Sequence, residues 1–168
     1  MRTIDLYEMQ VELDERIIKE KGLEGQDLIS NTALALQVEV GECANEWRYF
    51  KHWSNDRLPR RSKMLVEYVD CLHFILGLAR QLHVNPEDLF SLDFAYEGKT
   101  ASLFTRLLTT IGKIEQVSDP DSKVTFLLLA SNYFIYLGVD RLGFTWGEIT
   151  AAYVTKNAVN HNRQATGY

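Results

Sequence analysis

Three features of the 168-residue sequence predict an all-α fold. Apolar residues recur every three or four positions over long stretches, strict alternation is rare, and there are only three prolines. With 46 % hydrophobic and 11 % aromatic residues, the chain can bury one core and is too short for two large ones. Residues 1–168 are therefore expected to form one helical-bundle domain.

Ile4 to Lys21 carries the first helical period and stops at Gly22; a second helix starts near Asp27 and runs through Ala33, Leu34, Leu36 and Val40 toward Tyr49. A loop follows around His52 to Leu58. Pro59 suits the first turn of a third helix, and the run from Met64 to Leu82 is apolar on nearly every face, which predicts a central helix enclosed by protein. Asn85-Pro86-Glu87-Asp88 reads as a cap, a first-turn proline and first-turn acids, opening a shorter helical piece that ends by Gly98. Leu103, Phe104, Leu107, Leu108, Ile111 and Ile114 form one face of a further helix. Asp119-Pro120-Asp121 caps the next, from about Ser122 to Arg141, and Thr145 with Glu148 makes a capping box for a last helix continuing to about Gln164.

Lys and Arg number 18 against 23 Asp and Glu, a formal charge of −5, so no basic field is available to hold a nucleic-acid polymer. Cys43 and Cys71 lack Cys-x-x-Cys or Cys/His spacing, which argues against a disulfide framework or zinc site and for small core residues in a reducing compartment. The N-terminus is charged where a signal peptide needs an apolar run, and no apolar stretch approaches the ~20 residues that cross a bilayer. A soluble cytoplasmic protein without a membrane partner is expected.

The most informative pattern is acidic. Glu39, Glu42 and Glu46 fall on one face of the second helix, and Glu67 and Asp70 on one face of the third, since residues three and four apart are helical neighbours. No Lys or Arg lies between Gln26 and Glu46, and Glu67 and Asp70 sit in an apolar run where unpaired carboxylates would be costly. Something cationic should meet them. Clustered carboxylate oxygens suit Mg²⁺ or Mn²⁺, and Mg²⁺ completes its shell with water and phosphates.

Three other readings remain open. The acids can form solvated faces or pair with lysines from elsewhere, as in a helical interaction module without catalysis. Asp70 and His73, three apart, resemble half of a di-iron motif, although no other histidine has an acid three residues before it. His73 can also be a satisfied core histidine.

Glu39-Val40-Gly41-Glu42-Cys43-Ala44-Asn45-Glu46-Trp47-Arg48 with Phe50-Lys51-His52-Trp53 resembles the metal-site helix and following loop of dimeric-type dUTPases. Glu67-Tyr68-Val69-Asp70-Cys71-Leu72-His73-Phe74 is similar to that family's second metal half. Tyr153, Lys156, Asn157, Asn160, Arg163, Gln164 and the ending Gly167-Tyr168 give a third match. The broader superfamily comprises the all-α, MazG-like nucleoside triphosphate pyrophosphohydrolases. The resemblance implies a homodimer that cleaves dUTP, and dUDP, to dUMP with divalent metal on Glu39, Glu42, Glu67 and Asp70, Glu39 and Glu42 acting as the catalytic acids. It further implies that Trp53 packs against uracil, that Gln10 reads the base edge, and that His73, Lys156, Asn160, Arg163 and Tyr168 also bind the substrate. Asp14 stands where the family often has an Asn that contacts the nucleoside, which leaves open a superfamily enzyme for dCTP or a non-standard nucleotide.

Overall fold

The computed structural model describes residues 1–91 and 95–167. Six α-helices run Thr3–Lys21 (α1), Ile29–Trp47 (α2), Arg61–Gln81 (α3), Thr100–Gln116 (α4), Pro120–Tyr136 (α5) and Trp146–Thr166 (α6), with a π-helical segment, Leu137–Arg141, continuing α5. No strand occurs among the described residues.

Local chemistry sets most helix ends. Gly22 closes α1 in the left-handed conformation (φ 63°), which costs glycine nothing, and the Leu23 amide reaches back to the Ile18 carbonyl at 2.9 Å. Asp119 accepts from the Ser122 amide at 2.8 Å ahead of Pro120. At α6 the box is reciprocal, the Glu148 amide donating to Thr145 Oγ1 and Glu148 Oε2 accepting from the Thr145 amide. Thr145→Ala is expected to lower stability by about 1 kcal/mol in chemical denaturation.

The first departure from the sequence expectation lies after α3. Residues 86–90 form turns instead of a helix: the Asn85 side chain accepts from the Glu87 amide at 3.1 Å, its carbonyl accepts from Asp88 at 2.9 Å, and Phe90 takes a positive φ of 63°. An Asx turn satisfies the same donors that a helix cap would, and the left-handed Phe90 stops propagation. Pro59 also lies before α3 rather than in its first turn. A third difference concerns Pro120–Arg141, 22 residues that are apolar and long enough to cross a membrane by length and composition, contrary to the expectation of no such stretch. Leu127, Ala130 and Phe134 of this stretch are buried in the helical core.

Helix α3 is the axis of the molecule. It packs against α1, α2, α5 and α6, and Leu72, Ile75, Leu76 and Leu78 have no exposed surface. Each such side chain contributes roughly 1.5–3 kcal/mol of burial. Helix α2 runs antiparallel to it, since Glu46 faces Arg60 (3.7 Å), Cys43 Sγ donates to the Met64 carbonyl, and Thr32 meets Gln81 (2.9 Å). Helix α6 runs parallel to α3, with Glu148 paired to Arg61 and Lys156 to Asp70. Helices α4 and α5 form a hairpin that packs on α2 through α4, where Gln37 donates to the Leu108 carbonyl at 3.0 Å. This arrangement leaves α1, α2, α3 and α6 around one common space.

Candidate active site

The antiparallel pairing of α2 and α3 brings together the acids that sequence spacing had placed on separate helix faces. One carboxylate oxygen from each of Glu39, Glu67 and Asp70 lies within 4.8 Å of the others. Glu42 follows Glu39 on α2 and is exposed, near enough to raise the pKa of both Glu39 and Glu67. Glu46 lies farther along, buried, its Oε1 3.7 Å from Arg60 and its Oε2 without a hydrogen-bond partner.

The expected cation arrives in part from α6, where the Lys156 ammonium bonds to Asp70, whose side chain is only 13 % exposed. Even so, all three acids are held above the ordinary carboxylate range. Burial and then the charges of Asp70, Glu42 and Glu67 push Glu39 up to about 7; burial and then Asp70 raise Glu67; burial raises Asp70 against the opposing Lys156 contact. Burial is the leading cause in all three, and repulsion between carboxylates adds to it at Glu39 and Glu67. A hard divalent cation with an oxygen preference fits the donor set.

Beside the acids lies a second polar group that the sequence only hinted at. Gln10 of α1, 4 % exposed, donates through Nε2 to Asp14 Oδ1 at 2.7 Å; the other oxygen of Asp14 accepts from Arg80 Nε at 2.8 Å. Gln10 Oε1 accepts from the Tyr153 hydroxyl at 2.8 Å and lies 2.7 Å from His73 Nδ1. The His73 and Tyr153 rings stack with centroids 4.1 Å apart. Burial, then the nearby Lys156 charge, pushes the His73 pKa down to about 3, so the imidazole is neutral at physiological pH. Its Nε2 is buried and has no partner.

A cavity of about 340 Å³ joins the two groups. Its wall includes Gln10, Asp14, His73 and Arg80 as well as Glu39, Asp70, Lys156, Asn160 and Arg163, with Leu13, Ile17, Leu23 and Phe74 as apolar surface. A cavity that is apolar at the sides, with convergent amides and carboxylates, is the usual form of a small-molecule site. Of the sequence candidates, Glu42, Glu67 and Trp53 do not belong to the cavity wall; Trp53 is 68 % exposed and its ring lies edge-on to Phe50 and His52. The loop that carries it turns outward after α2, with Arg48 in a left-handed conformation and its guanidinium tied to Asp56. Tyr168 lies outside the described residues. Arg80 went unremarked in the sequence reading, although a single cation seven residues after His73, hence on nearly the same face of an apolar helix, was a signal that could have found it.

The dUTPase family model matches residues 3–168. The chain belongs to the dUTPase family. This is the all-α, dimeric-type dUTPase family of the MazG-like superfamily, and no curated protein matches the chain. As a dUTPase the protein is a hydrolase of nucleotide metabolism that converts dUTP to dUMP, and its family generally uses divalent metal. The carboxylates and the cavity of this dUTPase therefore sit where a metal, a triphosphate and a nucleoside can be met together.

Proposed function

We propose that the cavity is a uracil-selective nucleotide site with the Glu39, Glu67 and Asp70 cluster at its phosphate end, and that the dUTPase is Mg²⁺-dependent. The observation carrying this reading is that Glu39 and Asp70 belong both to the carboxylate cluster and to the cavity wall. A ligand with an anionic end and a heterocyclic end is thereby met by two chemically distinct halves of one space. Products are dUMP and pyrophosphate from dUTP, and dUMP and phosphate from dUDP.

Glu39, Glu42, Glu67 and Asp70 would hold Mg²⁺, with Mn²⁺ as a substitute, since both favour carboxylate oxygens. When bound, the cation supplies Lewis acidity, offsetting charge on the phosphoanhydride and making water a better nucleophile near neutral pH. Lys156 and Arg163 offset phosphate charge, Asn160 offers an amide to the phosphate or sugar, and Glu39 or Glu42 orients the attacking water. Gln10, His73 and Asp14 occupy the base end. Leu13 and Phe74 exclude water from the heterocycle, which strengthens every hydrogen bond made there.

The site reading is tested by thermal melting with a non-hydrolysable dUTP analogue. Analogue with Mg²⁺ is expected to raise Tm well beyond either alone, because each completes the other's binding shell. Additive or absent shifts would favour a helical interaction module whose acids only form ion pairs. Proton competition gives a second check, with the sign set by Glu39. A carboxyl with its pKa raised to about 7 is protonated below that pH and must lose its proton to coordinate, so Mg²⁺ affinity rises from pH 5 to about 7 and levels off above. Calorimetry in buffers of different ionisation enthalpy should show proton release on Mg²⁺ binding at pH 6 and little at pH 8. A pH-independent affinity would remove Glu39 from the metal set.

The proposed dUTPase acts as one domain over residues 1–168 and as a homodimer. Leu34 and Val38, exposed one turn apart on α2, support an interface with a second copy. Sedimentation equilibrium should give twice the chain mass, falling to the monomer in Val38→Glu. Two buried free thiols, Cys43 and Cys71, suit the reducing cytoplasm.

A further inference from the structure

We propose that the Asp14–Arg80 ion pair is the device that sets base selectivity: it fixes the amide of Gln10 in one orientation and, through that amide, fixes His73 as the Nδ1–H tautomer with Nε2 left as an acceptor. The inference rests on the reading that the cavity holds the base.

The chain of donors and acceptors allows a single assignment. Arg80 Nε can only donate, and it donates to Asp14 Oδ2 at 2.8 Å. As the carboxylate partner of that guanidinium, Asp14 accepts through both oxygens, so the Gln10 group 2.7 Å from its Oδ1 must be the NH₂. The Gln10 oxygen is then turned toward Tyr153 and His73. An amide oxygen cannot donate, so the 2.7 Å contact with His73 requires the imidazole proton to be on Nδ1. Tyr153 donates to the same oxygen at 2.8 Å and stacks on the imidazole, which keeps the ring from rotating.

The consequence falls on Nε2. His73 is 5 % exposed and belongs to the cavity wall, and its Nε2 is the one ring atom with hydrogen-bonding capacity still unused. As a lone pair it is complementary to a hydrogen donor and repels another lone pair. Uracil carries N–H at N3, whereas cytosine carries a bare nitrogen there. A site built around a fixed acceptor therefore favours the uracil edge, and an unmatched lone pair on cytosine leaves two acceptors buried against each other.

With Asn at position 14, Arg80 Nε would take the amide oxygen and leave the NH₂ facing Gln10, so the Gln10 amide would turn over and the imidazole proton would move to Nε2. The carboxylate, an acceptor on both oxygens, prevents that inversion. Its charge is tolerated because Arg80 stands two turns beyond His73 on α3. Asp14 is accordingly a positioning residue that acts through Gln10, and the acid does not contact the base.

The test combines nitrogen NMR with nucleotide selectivity. Long-range ¹H–¹⁵N spectra of the full chain should show His73 as a single Nδ1–H tautomer, with the Nε2 resonance moving when dUMP is added. In Asp14→Asn the spectra should show the Nε2–H tautomer and in Arg80→Gln both tautomers, and the preference for dUTP over dCTP in kcat/KM should fall about tenfold or more in each. Arg80→Lys, which keeps the charge beside Asp14, should restore the Nδ1–H tautomer and most of the preference. Variants that keep the Nδ1–H tautomer and full selectivity, in a protein whose Nε2 still responds to dUMP, would overturn the relay while leaving the base site standing. An Nε2 resonance that ignores saturating dUMP in the unaltered protein would overturn both.

Discussion

Asp70→Asn lowers dUTP turnover by about three orders of magnitude or more, and leaves the fold in place. The loss follows from charge rather than shape. Asn matches Asp in size and keeps an oxygen for the Lys156 ammonium, but it removes an anion from the cluster shared with Glu39 and Glu67. Preorganised groups aimed at developing charge contribute roughly 10²–10³ in rate each, and at the proposed metal site the loss of one carboxylate would also weaken metal binding. Stability should hold because the charged Asp70 is itself an electrostatic cost: burial raises its pKa despite Lys156, so a neutral isostere relieves part of that cost. The checks are kcat and KM at saturating Mg²⁺, with the melting temperature as control. Turnover within a few-fold of the unaltered protein would remove Asp70 from the reaction.

Gly138→Ala lowers stability by about 3 kcal/mol through a contact far from that chemistry. A Cβ on Gly138 would lie 2.2 Å from the Tyr68 hydroxyl oxygen and 2.3 Å from Cζ, separations at which one side must move. Tyr68 cannot easily yield. Its ring has no exposed surface, stacks on Phe134 with centroids 4.1 Å apart, touches Phe144, and donates its hydroxyl to the Phe134 carbonyl at 3.1 Å. The π-helical turn at Leu137–Arg141 lies where α5 passes this tyrosine, and its glycine lets the backbone approach. For a chain of this size, 3 kcal/mol corresponds to a Tm lower by roughly 6–12 °C. A variant that melts within about 2 °C of the unaltered protein would show that the core can open around Tyr68.

These two residues also mark what could and could not be read from the sequence. Asp70 was legible because local periodicity carries it: Glu39 and Glu42, then Glu67 and Asp70, share helix faces by spacing alone, and burial in an apolar run called for a cation. The helix ends at Gly22, Asp119 and Thr145 were legible for the same reason, since a cap is chemistry between near neighbours. The π turn was not, because the side chain it passes, Tyr68, belongs to a different helix. Nor was the Gln10, Asp14 and Arg80 relay, whose members come from two helices and acquire meaning only when α1 lies along α3. The segment after Asn85 misled because Asn-Pro opens a turn as readily as a helix, and nothing local announces a left-handed Phe90.

The measurement that tests the central claim most directly is pyrophosphate release from dUTP, dCTP, dTTP and UTP side by side, with Mg²⁺ and with the metal chelated. The account predicts rapid release from dUTP, at least about tenfold slower release from dCTP, and loss of all release on chelation. Equal release from dCTP would contradict the base end of the cavity, and release that survives chelation would contradict the carboxylate end.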